Sequence, residues 1–268
     1  MSAANLEEVE DDVLNPDFLA RIRSEVGKSG DVLKRALGKV CGLFDARASL
    51  VFIDRSLNEV KQTFVRLHEA AHGFLPWQRP MYAVVEDCEK ALDPELADDF
   101  DREANVFASE VLFQGAAFID EAADKKFSIF TPIGLAKKYG ASLYASIRQY
   151  VSKNRRNCAV LILNPPELVE GDGFRASFRR VVQSSSFTEM FGQEQWQLVY
   201  TPDDQLGAMV PIGGRRSSRP RAVVLKDING DPHECIAEAF TQTYQVFVLI
   251  HEVRALTAKS VIVKLPND

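Results

Sequence analysis

The chain has 268 residues, of which 46% are hydrophobic and 26% are charged, and its net charge at pH 7 is −6. This composition is ordinary for a soluble globular protein, and the length supplies a sizeable core, as one large domain or two modest ones. The acidic charge gives no reason to expect nucleic-acid binding, no apolar run reaches the ~18 residues of a membrane span, and the acidic N-terminus excludes a secretory leader and favours the cytoplasm.

The first third of the chain predicts helices around one short strand. Residues 1–15 are polar and acidic, and we predict that they are disordered. Apolar residues recur at helical spacing from residue 16 to about residue 44, which predicts one or two helices. Residues 49–54 are apolar and β-branched, as in a strand, and a helix is predicted from residue 57 to about residue 74.

The next segment predicts an irregular stretch and then three helices. Residues 76–92 show no clear period. Asp93 and Pro94 are typical of a helix start, and this helix should run to about residue 113 with an inward stripe. Residues 131–151 predict a helix-turn-helix-like pair. The predicted inward stripe consists of Leu96, Phe100, Phe107 and Val111.

The pattern changes near residue 155, where we place a domain boundary, to within about ten residues, between residues 16–155 and 156–268. Short β-branched or aromatic runs, separated by turn signals, then predict a β-rich C-terminal domain. The predicted strands lie at residues 159–163, 178–182, 196–200, 222–226, 235–240, 244–250 and 260–264.

The chemistry is concentrated at residues 68–72, which read H-E-A-A-H. Histidines four residues apart lie on one face of a helix, one turn apart, so that His68 and His72 can bind one metal ion. Glu69 lies one step further around the helix, where it can act on a zinc-bound water. His233 and His251 are also followed by glutamate but lack a second histidine, and the four cysteines form no C-x-x-C pair.

A catalytic zinc needs a third protein ligand, and no further histidine is available near the motif. In the predicted helix 93–113, Glu103 falls between the inward residues, and Glu110 lies on nearly the same face. Helical spacing therefore leaves both open, although the two are ~10 Å apart along the axis, so that only one should reach the metal. Tyr82, which follows the motif, is a candidate for stabilising an oxyanion.

H-E-A-A-H-G at residues 68–73, followed by E-A-N-V-F-A at residues 103–108, resembles the ImmA/IrrE family of gluzincin-like metallopeptidases. The resemblance implies an α+β fold, with a mainly helical zincin-like domain, a small sheet and a helix-turn-helix-like unit. It makes Glu103 the third zinc ligand and Asn105 a hydrogen-bond partner of a zinc-bound histidine. In one subgroup a GAF-like domain follows, which suits residues 156–268 as a sensor or docking domain.

The resemblance also implies a zinc endopeptidase that cleaves an XRE-type helix-turn-helix repressor and relieves repression of stress-response or mobile-element genes. Manganese or iron could replace zinc in such a site. Two other functions stay open. One is a DNA-binding regulator that uses the basic residues of 131–156, and the other is a toxin–antitoxin-type binding partner with a structural metal. An intact Glu69 argues against a purely structural metal, which does not need that carboxylate.

Overall fold

The computed structural model describes residues 5–9, 42–46, 49–87, 93–170, 173–193, 196–214 and 216–253. The chain divides into two compact units, each with its own core. The first comprises Met1–Lys126 and Thr131–Ser146, and the second comprises Phe127–Phe130 and Ile147–Asp268. The main division in sequence falls between Ser146 and Ile147, inside the ten-residue margin of the boundary that we placed near residue 155. The mixture of helices and sheets agrees with the expected α+β class.

A small sheet of the first unit is formed by β1 (Glu7–Val9), β2 (Gly42–Asp45) and β3 (Leu50–Ile53). The order is β1-β3-β2, with β1 parallel and β2 antiparallel to β3. The predicted strand at 49–54 is therefore confirmed. The prediction that residues 1–15 are disordered is wrong for Glu7–Val9, because the backbone of β1 pairs with β3. In addition, Glu8 accepts hydrogen bonds of 2.7 and 2.9 Å from the Arg66 guanidinium.

Helix α1 (Glu59–Phe74) confirms the helix predicted around the H-E-x-x-H segment. It begins at Asn58, whose side chain accepts a hydrogen bond from the Lys61 backbone N–H at 2.9 Å, as at many helix starts. Val65 and Ala70 of this helix pack against buried side chains of the small sheet. The helices predicted at 16–44 fall mainly on residues 10–41, which lie outside the described residues, and Gly42–Phe44 at their end belongs to β2.

The segment that we expected to be irregular contains α2 (Gln78–Asp87). Pro80 stands in the first turn of α2, where a backbone N–H has no partner within the helix, so the proline does not interrupt it. Helix α3 (Pro94–Leu112) begins after Asp93, whose side chain accepts from two backbone N–H groups, and this confirms the predicted start. Three shorter helices follow, α4 (Ala117–Ala123), α5 (Phe130–Ala136) and α6 (Leu143–Ser152), and the last two form the predicted helical pair.

The second unit is β-rich, as the sequence predicts. The strands and the one short α-helix between them are β4 (Cys158–Leu163), β5 (Glu167–Val169), β6 (Gly173–Gln183), α7 (Ser185–Phe191), β7 (Val199–Tyr200), β8 (Arg221–Lys226), β9 (Pro232–Gln242) and β10 (Gln245–Glu252). They form an antiparallel sheet in the order β5-β6-β4-β10-β9-β8, with β7 added beside β6. The predicted strand at 260–264 lies outside the described residues.

Strands β4 and β10 form the centre of this sheet, and all six residues of β4 are buried. Continuous burial explains why its sequence, CAVLIL, is apolar without alternation. Glu238 of β9 is also buried, and it accepts hydrogen bonds from the Ile129 N–H at 2.6 Å and the Ser128 hydroxyl at 3.1 Å. These bonds explain why Phe127–Phe130 group with the second unit. No helix within the described ranges has the length and apolarity to cross a membrane.

Candidate metal centre

Helix α1 brings two imidazole nitrogens face to face. His68 and His72 stand one turn apart, and their Nε2 atoms are 3.2 Å from each other. Two ligands of one tetrahedral zinc ion, each bound at ~2.0–2.1 Å, are about 3.3 Å apart. The observed separation therefore fits a shared metal ion, as the H-E-x-x-H spacing predicted.

Asp101 of α3 completes a triangle of ligand atoms. Its Oδ1 atom lies 3.6 Å from His72 Nε2 and 3.8 Å from His68 Nε2. A point about 2 Å from all three atoms lies inside this triangle, which is the length of a zinc bond to nitrogen or oxygen. Among the described residues these are the His, Cys, Asp and Glu groups that could hold a metal ion. Asp101 was not among the predicted site residues.

The structure does not bring Glu103 to the two histidines. Its Oε2 atom accepts hydrogen bonds of 2.7 Å from Trp77 Nε1 and 2.7 Å from Gln78 Nε2. These two donors lower the pKa of Glu103. Glu110 is not part of the metal-binding group either. The assignment of Glu103 as third ligand stays a prediction, and Asp101 is the carboxylate that the geometry favours.

Asp101 faces the two histidines, and Glu103 does not, because of the way in which α3 is rotated about its own axis. Its buried residues are Phe100, Ala104, Ala108 and Leu112, whereas Val111 of the predicted stripe is exposed. With about 100° per residue, Asp101 lies about 40° from the centre of the buried stripe and Glu103 about 120° from it. The observed rotation thus directs Asp101, and not Glu103, toward α1.

An amide side chain lies beside each imidazole. His72 Nδ1 is 2.7 Å from Gln78 Oε1, and the Asn105 side chain lies near His68 and favours its protonated form. The predicted hydrogen bond between Asn105 and a metal-binding histidine stays a prediction. Burial lowers the pKa of both histidines, and these two amides and the Asp101 carboxylate oppose the shift without reversing it. Neutral imidazoles are the form that binds metal ions.

The side chain of Glu69, a residue of α1, faces Gly42 of β2. Burial, with a smaller contribution from the Asp101 charge, raises the pKa of Glu69 to about 8. A bound cation acts in the opposite direction, because a nearby positive charge favours the carboxylate. A carboxyl group whose pKa can be adjusted around neutral pH suits proton transfer.

The close approach of β2 to Glu69 requires a glycine. A Cβ atom at Gly42 would stand 2.5 Å from Val65 Cγ1 and 2.8 Å from Glu69 Oε1. We expect Gly42→Ala to lower the free energy of unfolding by about 1–3 kcal/mol, because the added methyl group overpacks this interface. Urea unfolding of the metal-free protein measures the change.

Gly134 in α5 provides a matched control, because a Cβ atom there would meet nothing within 4 Å. Gly134→Ala should be neutral or stabilising by up to about 1 kcal/mol, as alanine favours a helix. Equal free energies of unfolding for the two variants would contradict the close approach at Gly42.

Tyr82 of α2 lies beside the histidines. Its ring centroid is 5.1 Å from that of His72, in an edge-to-face arrangement, and 5.9 Å from that of Phe100. Burial raises the pKa of Tyr82, so its hydroxyl stays protonated and can donate a hydrogen bond. The predicted role as oxyanion stabiliser is compatible with this position and stays a prediction.

The remaining two histidines belong to the second unit and have other contacts. His233 lies 3.2 Å from Asp227 Oδ2 and 3.5 Å from Glu252 Oε1. The His251 ring packs edge-to-face on Phe127 at 4.7 Å. Neither was predicted to bind a metal ion.

Comparison with known proteins places the site in a described domain type. Residues 34–147, which include α1 and α3, match the sequence model of the IrrE N-terminal-like domain, Peptidase_M78. No curated protein matches. Among solved structures, a Mycobacterium tuberculosis transcriptional regulator shares 13% identity with a TM-score of 0.47. The match covers 92% of this chain and 66% of the regulator, so the chain spans just under two thirds of that protein's length.

Proposed function

Because the chain belongs to the ImmA/IrrE family through its IrrE N-terminal-like domain at residues 34–147, which implies a metallopeptidase-like role, we propose that it is a zinc-dependent endopeptidase. The observation that carries the proposal is the convergence of His68 Nε2, His72 Nε2 and Asp101 Oδ1, close enough to Glu69 for the Asp101 charge to raise the pKa of Glu69. Two imidazoles, one carboxylate and an adjacent glutamate form the donor set of a catalytic zinc site with one position left for water.

In this proposal His68 and His72 hold the metal with a carboxylate from α3. Asp101 is that carboxylate in the observed geometry, and Glu103 is the alternative that the family resemblance implies. Zinc is the first choice, and manganese or iron would also accept these ligands. When bound, the metal supplies a Lewis acid that polarises the scissile carbonyl group and makes a water more acidic.

The side chains have distinct tasks around the scissile bond. Glu69 takes a proton from the attacking water and passes it to the leaving amine, which is general base and then general acid catalysis. Tyr82 is proposed to donate its hydroxyl hydrogen bond to the developing oxyanion. Asn105, which lies near His68, is proposed to orient the His68 ring through a side-chain hydrogen bond.

We further propose that the substrate is an XRE-type helix-turn-helix repressor in the cytoplasm, cleaved to activate stress-response or mobile-element genes. The family resemblance supplies this substrate class. The surface beside the metal centre supports a polypeptide substrate, because Trp77 and Phe74 are 50% and 47% exposed and Trp77 contacts Glu103. Exposed apolar surface near a site is typical of surfaces that bind another protein.

The two units then correspond to a zincin-like catalytic unit and a GAF-like second unit. In the part of the second unit that the structure describes, the first and last strands, β4 and β10, pair at the centre of an antiparallel sheet, which supports a ligand-sensing or docking domain of that kind. This assignment is an analogy of architecture.

Cleavage of purified repressors tests the function. Zinc-loaded wild type and Glu69→Gln are incubated with the XRE-type repressors of the source organism, and new N-termini are identified by mass spectrometry. We expect one new N-terminus with wild type and none with Glu69→Gln. Without cleavage, a stable complex insensitive to Glu69→Gln, or salt-sensitive DNA binding by the chain, would contradict the proposal.

A further inference from the structure

Gln78, the first residue of α2, is a buried amide that bonds at both ends. Its side chain is 0% exposed, although glutamine is usually found at protein surfaces. The nitrogen Nε2 lies 2.7 Å from Glu103 Oε2 and 3.3 Å from the Phe100 backbone oxygen. The oxygen Oε1 lies 2.7 Å from His72 Nδ1.

These contacts fix the direction of every hydrogen bond in the chain of groups. The Phe100 carbonyl oxygen can only accept, and so can an ionised Glu103, so the group facing them must be the amide NH2 of Gln78. The Gln78 oxygen then faces His72 and can only accept. His72 must therefore carry its proton on Nδ1, which leaves Nε2 with a free lone pair in the neutral ring.

The free nitrogen points toward the metal-binding position. His72 Nε2 is the atom that lies 3.2 Å from His68 Nε2 and 3.6 Å from Asp101 Oδ1. In a solvent-exposed imidazole both tautomers are available, and the one protonated on Nε2 cannot bind a metal through that atom. A fixed partner at Nδ1 removes this competing form.

We propose that Gln78 is a positioning residue that holds His72 in the Nδ1–H tautomer, with its metal-binding nitrogen preset. The benefit of this tautomer for metal binding rests on the proposed metallopeptidase function. The tautomer itself follows from the hydrogen bonds of Gln78 and does not depend on that function. The Phe100 carbonyl group orients the amide even if the Glu103 carboxylate moves to the metal. Gln78 therefore acts with either Asp101 or Glu103 as the third ligand.

Nitrogen-15 NMR of the metal-free full chain tests the tautomer directly. Long-range ¹⁵N–¹H correlations of the His72 ring distinguish a protonated nitrogen from a bare one. We expect wild type to show a protonated Nδ1 and a bare Nε2 near neutral pH. A wild-type spectrum with the proton on Nε2 would overturn the proposal, and this measurement needs no variant that might fail to fold.

Two variants separate positioning from packing. Gln78→Met keeps the length of the side chain but offers no strong acceptor, so His72 should shift toward the Nε2–H form and the zinc Kd should rise about 10–100-fold. The double variant Gln78→Glu/Glu103→Gln keeps an acceptor toward Nδ1, places an amide donor opposite the new carboxylate, and should retain the wild-type tautomer. The proposal is also overturned if Gln78→Met changes neither the tautomer nor the Kd.

Zinc titration of wild type in parallel distinguishes the two proposals. If wild type binds no zinc but shows the Nδ1–H tautomer that Gln78→Met loses, the role of Gln78 stands and the metallopeptidase function fails. If zinc binds and His72 carries its proton on Nε2 before zinc is added, the function stands and the role of Gln78 fails.

Discussion

Replacing Glu69 with glutamine should lower kcat for peptide hydrolysis about 10²–10⁴-fold, the usual contribution of a positioned acid–base group, while zinc stays bound. Glutamine has the shape of glutamate but cannot take up the proton of a water. The metal ligands are untouched, since Glu69 is not part of the group formed by His68, His72 and Asp101.

The fold of the Glu69→Gln variant should be retained. Burial raises the pKa of Glu69 to about 8, so the metal-free protein already holds a largely neutral side chain there at neutral pH. A neutral amide removes the cost of burying the carboxylate, and we expect a melting temperature no lower than that of wild type. Zinc content, melting temperature and kcat measured on the same preparation distinguish lost chemistry from lost structure.

Two results would count against this role of Glu69. Unchanged hydrolysis by Glu69→Gln would show that another group moves the proton. Loss of zinc together with activity would show that Glu69 binds the metal and is not the base.

Exchange of Asp101 for asparagine should raise the zinc Kd more than about 100-fold. This loss exceeds the ~10–100-fold that is typical when the mutated residue only hydrogen-bonds to a metal ligand. The reason is the position of Asp101 Oδ1, 3.6 Å and 3.8 Å from the two imidazole Nε2 atoms. Asparagine keeps the shape but loses the negative charge that attracts the cation. Calorimetric titration with a competing chelator measures the Kd.

Glu103→Gln is the matched control on the same helix. Its carboxylate is bonded to Trp77 and Gln78, so we expect the zinc Kd to rise by no more than ~100-fold. A larger loss of affinity for Glu103→Gln than for Asp101→Asn would restore Glu103 as the third ligand. Asp101 would then be only a neighbouring charge.

The two histidines of the site could be predicted from sequence because both lie on one helix, α1, and their relative placement depends only on that helix. The spacing of His68 and His72 fixes their relative placement once α1 forms, and the 3.2 Å approach of their nitrogens follows from it. The start of α3 was equally predictable, since Asp93 followed by Pro94 is a local signal.

The third ligand was harder to predict because it depends on how α3 is rotated against α1. Large apolar side chains suggested a stripe through Phe107 and Val111, but the buried face of α3 has the small Ala104 and Ala108 at its centre, between Phe100 and Leu112. Alanines let two helices approach closely and carry little hydrophobic weight in a sequence pattern. The feature of the sequence that could have indicated Asp101 is its position four residues, or about one helical turn, before Asn105.

Gln78 gave no signal at all. Glutamine is common at surfaces, and residues 76–92 show no clear period that would predict a helix there. Its role appears only when Phe100 and Glu103, more than twenty positions away in sequence, face its amide. The strands of the second unit were predicted better, since continuous apolar runs such as that of β4 indicate central strands without knowledge of their partners.

Metal content of the wild-type chain tests the central claim most directly. The protein is purified without chelator or affinity metal, supplied with zinc, dialysed and analysed by native and elemental mass spectrometry, with a His68→Ala/His72→Ala variant in parallel. We predict one zinc ion per wild-type chain and none in the variant. A wild-type chain that retains no zinc, or a variant that retains as much as wild type, would contradict the account.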